Sequence, residues 1–231
     1  MSEIFFPLNP RPREDPAASG VVQENLESVM QLFQKGLEDG DIMVWDKLLG
    51  RYLAKSSGGI ETVTALPIVD LYPGREAILT NNPSNPQYLW HLRYNPDSPS
   101  AYKWEYMGGS PGLSVVSAWE GTFSTGFVDL STVGPDFQIP TGVGGDFLLE
   151  YGAQSRQATF GREARMATSV GVGLENAAIS TMNDFTSVSI KRRFNSIASG
   201  TLIRAKYATS NAADEASFRE RWLAVQPYRV G

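Results

Sequence analysis

Cysteine is absent from the 231 residues, and histidine appears once, at His91. Disulfides, thiolate nucleophiles and cysteine-based metal centres are therefore excluded, and so is a histidine-rich metal cluster. Long apolar runs are missing too: none approaches the ~20 residues that cross a bilayer as a helix. No membrane insertion is expected. Met1 to Pro16 lacks the basic-then-apolar order of a signal peptide, so synthesis in a cytoplasm with no export signal of its own is the expectation. Positive charge is scarce as well. Twenty Lys and Arg against 25 Asp and Glu leave a net charge of −5, the wrong sign for gripping phosphates. The one dense basic run, Lys191-Arg192-Arg193, alternates within a strand-like stretch and reads as a solvated face.

What is present favours strands. Aromatic residues make up 11% of the chain, and 42% of it is hydrophobic, enough for a packed core. Twenty-two Gly and fourteen Pro interrupt the sequence often, so elements should be short and turns many.

Residues 1–24 read as an extended attachment arm, because Pro7, Pro10, Pro12 and Pro16 forbid a continuous helix. Ile4, Phe5, Phe6 and Leu8 are large apolar residues in that arm and are expected to dock on a partner. Over residues 25–37 Asn25 can cap a helix whose stripe is Leu26, Val29, Met30, Phe33 and Leu37. Asp41 to Asp46 and Leu48 to Leu53 then read as a strand, a turn and a strand. Helix and hairpin together make a stem, 25–59, in which Ile42, Val44 and Trp45 need burial from other chains. Ser56-Ser57-Gly58-Gly59 is a plausible joint.

The sharpest pattern lies in a β-hairpin module at 60–110. Tyr88, Trp90, Leu92 and Tyr94 alternate with Leu89, His91 and Arg93; beyond a turn, Tyr102, Trp104 and Tyr106 alternate with Lys103 and Glu105. Pairing Tyr94 with Trp104 sets Arg93 opposite Glu105, whereas a shift by two would set Arg93 against Lys103. Residues 111–231 carry eight short apolar runs: 113–119, 126–131, 136–140, 146–153, 158–170, 185–194, 201–209 and 218–229. The whole is expected to be mostly β, with an antiparallel, jelly-roll-like β-sandwich head at 111–231.

Chemistry is hard to find in this sequence. Gly108-Gly109-Ser110-Pro111-Gly112 has the spacing of a nucleophile elbow, but Pro111 has no N–H to give an oxyanion hole. A Gly-rich turn explains it better. Thr141-Gly142-Val143-Gly144-Gly145-Asp146 lacks the Lys and Ser/Thr of a P-loop. Glu120, Asp129, Asp136, Asp146 and Glu150 are the candidate glycosidase carboxylates, though sequence alone pairs none of them. Trp90, Trp104 and the tyrosines could stack on sugars, but an aromatic hairpin face is more often core. No catalytic residue, metal ligand or cofactor is expected.

Asp39-Gly40-Asp41-Ile42-Met43-Val44-Trp45-Asp46, followed by Gly50-Arg51-Tyr52, resembles the "DGDxLVWD…GxW/Y" unit of phage fibre and tail proteins. Trp90 to Asn95 and Ala101 to Gly109 are similar to the "WHLRYN…SAYKWEFxGG" stretch of phage minor tail and structural proteins. Phe127 to Pro135 resembles the "YVDLATVGP" strand-turn that follows it there. These stretches span residues 39–135. The resemblance implies a non-enzymatic virion component, often trimeric, with a β-rich head on a short stem. The expected partners are two further copies of the chain and another virion protein bound by the arm. A carbohydrate-binding module that recognises the host cell surface is the alternative.

Overall fold

The computed structural model describes residues 41–46, 51–56, 60–170, 173–181 and 184–231. The chain divides into two compact units, Met1–Gly59 and Ile60–Gly231. The docking residues Ile4, Phe5, Phe6 and Leu8 lie outside the described residues, as do the helix 25–37 and its stripe Leu26, Val29, Met30, Phe33 and Leu37.

In the first unit β1 (Asp41–Asp46) and β2 (Arg51–Ser56) form a two-stranded antiparallel sheet. Val44 stands opposite Leu53, and Trp45 opposite Tyr52. The second strand runs three residues later than the apolar run 48–53 suggests. This register draws Ser56, expected in the joint, into the strand.

Among the described residues the second unit holds thirteen strands. They are β3 (Glu61–Val63), β4 (Glu76–Leu79), β5 (Leu89–Tyr94), β6 (Trp104–Ser110), β7 (Gly112–Val116), β8 (Glu120–Thr122) and β9 (Asp136–Gln138). After these come β10 (Gly145–Gln157), β11 (Ala164–Val170), β12 (Gly173–Ser180), β13 (Thr186–Ile197), β14 (Leu202–Thr209) and β15 (Ala216–Val230). Nine of them make one sheet in the order β13-β10-β15-β6-β5-β4-β3, with β7 and β8 also on β15. The other four make a second sheet, β12-β11-β14-β9. Every pairing is antiparallel except β3 with β4.

β15 organises the larger sheet because it is long enough to take three partners along one edge. β8 pairs at Ala216–Phe218, β7 at Arg221–Val225 and β6 at Arg229–Val230. The other edge is covered by β10 over almost its full length. Along β10 the period-2 rule of a strand is visible. Phe147, Leu149, Tyr151 and Ala153 are buried, while Leu148, Glu150, Gln154 and Arg156 face the other way. Ile203, Ala205 and Tyr207 of β14 and Ala164 and Met166 of β11 share one core with them.

The aromatic hairpin has the register that its charges require: Tyr94 pairs with Trp104, and Arg93 with Glu105. Its aromatic face is core, with Tyr88, Trp90, Leu92 and Trp104 all buried. Glu105 makes its ion pair sideways, with Arg229 of β15 at 3.5 Å. The hairpin module is therefore not separate from the head. Residues 60–110 and 111–231 contribute to the same sheet and form one compact unit. Trp90 packs against Phe147 of β10 and Phe137 of β9, and Trp104 pairs with Val230 of β15.

Two of the expected runs differ in detail. The run 126–131 is no strand; it crosses β14 with a single bridge, Val128 to Tyr207. The run 158–170 begins its strand only at Ala164, after a turn in which Gly161 has a φ of 81°. β8 and β12 carry no strong apolar alternation and lie outside the expected runs.

Candidate interaction surface

The glycine-rich pattern at 108–112 is architecture. Gly109 has a φ of 105°, and a Cβ there would overlap the Leu89 carbonyl of the facing strand. A Cβ on Gly112 would overlap the Phe137 ring. These two glycines let the chain turn from β6 into β7 against its neighbours. Ser110 between them is exposed, and its hydroxyl has no hydrogen-bond partner. His91 is engaged elsewhere: its Nε2 lies 2.9 Å from Glu76 Oε2.

Each of the five carboxylates considered for hydrolysis carries a basic partner. Glu120 binds Arg221 at 2.9 Å, Asp129 binds Lys206 at 2.6 Å and Asp136 binds Arg204 at 3.2 Å. Asp146 binds Arg193 at 2.8 Å, and Glu150 binds Lys191 at 3.4 Å. Two members of the basic run 191–193 are thus neutralised on the sheet. Asp146 also accepts the backbone N–H of Ser196, whose φ is 56°, and so fixes the irregular end of β13. Among the described residues no cluster of three or more acidic or histidine side chains could hold a metal ion.

Glu120, Asp129 and Asp136 share a purpose. They lie along residues 120–136, which form a strap over β14 and β15 that includes the resemblance stretch Phe127 to Pro135. Arg221 is fully buried beneath it, giving one N–H to Glu120 and one, at 3.2 Å, to the Thr132 carbonyl. The Thr132 N–H and hydroxyl both donate to the other Glu120 oxygen, at 2.8 and 2.7 Å. Burial alone would push the Glu120 carboxyl up. The Thr132 donors and the Arg221 charge outweigh it and hold the group below its ordinary value of 4.5. Tyr207 closes the strap by donating to the Gly134 carbonyl at 2.9 Å, and its burial pushes its phenol well up.

The surface that remains open lies on the face of the nine-stranded sheet opposite the core. Leu113 and Val115 on β7 are 58% and 54% exposed there, beside Trp222 and Ala224 of β15. At one end four side chains from distant parts of the chain gather. Trp119 precedes β8, Phe185 precedes β13, Arg156 ends β10 and Arg219 lies near the start of β15. The Trp119 and Phe185 rings meet edge to face, 5.3 Å apart at 83°. The Arg156 guanidinium lies over both, at 4.9 and 5.2 Å, and that of Arg219 lies over Phe185 at 4.1 Å. Trp119 is 58% exposed. Among the described residues neither arginine has a carboxylate partner; Arg219 Nε donates to the Gln154 amide oxygen at 2.9 Å. Trp90 and Trp104, weighed for sugar stacking and read from the sequence as more often core, are core. Sequence reasoning missed Trp119 and Phe185, which stand in turns with no periodicity to mark them.

No family model and no curated protein matches the chain. Among solved structures, the dimeric latent PorU from Porphyromonas gingivalis matches at 11% identity with a TM-score of 0.33. The match covers 50% of this chain and 13% of that one. A likeness of that size fixes neither fold family nor activity.

Proposed function

We propose that the chain is a non-enzymatic structural and adhesion component of a phage virion, a fibre, minor tail or head-fibre protein. In this reading the N-terminal arm attaches to another virion protein through Ile4, Phe5, Phe6 and Leu8. The stem associates as a homotrimer, and the two sheets form an outward-facing, jelly-roll-like sandwich. The observation that carries it is where the resemblance falls. Trp90, Leu92 and Trp104 of the second stretch are core residues, and Asp129 and Leu130 of the third anchor the strap. The shared residues are those that build a framework, as expected when a scaffold rather than a reaction is common to a family. Purified particles labelled with an antibody raised against the full chain should show it at fixed positions. Its absence from such particles by mass spectrometry would end the reading.

The second reading, a carbohydrate-binding module for the host surface, is favoured by the exposed Trp119–Phe185 pair with its two arginines. Retention of the full chain on a panel of cell-wall polysaccharides would promote it over a purely structural role.

A further inference from the structure

We propose that Trp119, Phe185, Arg156 and Arg219 form a binding site for an acidic saccharide, a sugar ring bearing a carboxylate or phosphate. The inference rests on the second reading above and deepens it, naming the site and the ligand's charge.

Three observations lead there. First, Trp119 offers a flat apolar ring at 58% exposure, the kind of platform on which the C–H face of a sugar packs. Second, two guanidinium groups lie beside that platform without a carboxylate partner. Several other bases on this surface are already matched to an acid, as in Lys191–Glu150, Arg193–Asp146, Lys206–Asp129 and Arg204–Asp136. An arginine fork matches the two oxygens of a carboxylate, or two of a phosphate. Third, the arginines are held in place before any ligand arrives. Arg156 lies against two rings, and Arg219 between Phe185 and the Gln154 amide, so little side-chain freedom remains to be lost on binding.

A nucleic acid would use the same ring and charge chemistry, but it needs a track of cations along its backbone. Here the site has two, on a chain of net charge −5, and Lys191 and Arg193 farther along β13 are already paired. One anionic group next to one apolar ring fits a sugar acid better.

The test is calorimetric titration of the full-length chain with four probes: a galacturonic acid hexamer, a sugar-phosphate oligomer, neutral maltohexaose and a hexanucleotide of single-stranded DNA. One or both acidic saccharides should bind at least tenfold more tightly than maltohexaose, and more weakly as salt rises. The two acidic probes separate a carboxylate from a phosphate source. Trp119→Ala and Arg156→Gln should each weaken that binding at least tenfold. Arg219→Lys keeps the charge but not the fork and should weaken it less. All three residues lie on the outer face, so unchanged thermal unfolding is expected; if one variant melts early, the other two decide. Acidic and neutral sugars bound alike, unchanged binding by the variants, or the DNA bound as tightly at these residues would each overturn the inference. Neutral binding elsewhere would leave the module reading standing, whereas no saccharide bound at all would remove both.

Discussion

At Arg221 a full positive charge sits buried, and Glu120 is the one carboxylate paired with it among the described residues. Removing one member of such a pair strands the other, which costs more than the pair itself contributes. Glu120→Gln should lower unfolding free energy by roughly 3 kcal/mol, read as a drop in urea midpoint at unchanged slope. Glu120→Leu combined with Arg221→Met should cost less than Glu120→Leu alone, because nothing is then left uncompensated. The same pair fixes an acid limb. Since the folded-state carboxyl of Glu120 titrates below its ordinary 4.5, the unfolded chain takes up the proton first as pH falls. Its contribution is present above that value and is lost as pH drops through the lower folded one. Denaturation of wild type and Glu120→Gln at pH 7 and pH 3 should therefore show the gap between them narrowing in acid. A gap that widens would mean the carboxyl is not held ionised. An alkaline limb belongs to Tyr88, whose burial pushes its phenol up to about 12 from 10.0. Stability should fall as pH rises past 10.0, and Tyr88→Phe should lessen that loss.

At the scale of elements, the hairpin β5–β6 was legible and the strap was not, for one physical reason. The hairpin is specified by residues within twenty positions of each other: strict alternation, a turn, and one pairing of Arg93 that avoids Lys103. The strap is held by Glu120 to Arg221, Asp129 to Lys206 and Tyr207 to Gly134, partners 101, 77 and 73 residues apart in sequence. No local period encodes such contacts. β12, Gly173–Ser180, was illegible for the opposite reason: its sequence has little apolar alternation, and pairing with β11 makes it a strand. The interaction surface suffers as the strap does, since its four side chains come from positions 119, 156, 185 and 219. Glycine at 109 gives this scale its own test. Gly109→Ala places a Cβ into the Leu89 carbonyl at a φ of 105°, and strain of that kind costs about 3 kcal/mol. Ser110→Ala, one residue on, removes an exposed hydroxyl without a partner and should change stability by under about 0.5 kcal/mol. Equal thermal shifts for the two would show that the glycine pattern is not needed for packing.

The unit Ile60–Gly231 has a large core of its own, and the described part of the unit Met1–Gly59 is the two-stranded sheet β1–β2. A two-stranded hairpin alone in water is marginal, and so is a helix of the thirteen residues expected over 25–37. The stripe Leu26, Val29, Met30, Phe33 and Leu37, with Ile42, Val44 and Trp45, is too apolar to be left to solvent. Three copies about an axis would cover it, and closed cyclic symmetry stops the assembly from growing into a filament. Light scattering on the full chain should then give a particle of three times the 25.3 kDa chain mass. Leu26→Asp with Phe33→Asp should shift that particle toward monomer. The unfolding of the Trp90 and Trp104 core, followed by tryptophan fluorescence, should barely move, because those residues belong to the other unit. A monodisperse monomer of the unaltered chain at micromolar concentration would remove the trimer, and the stem's apolar stripe would then need burial within its own chain.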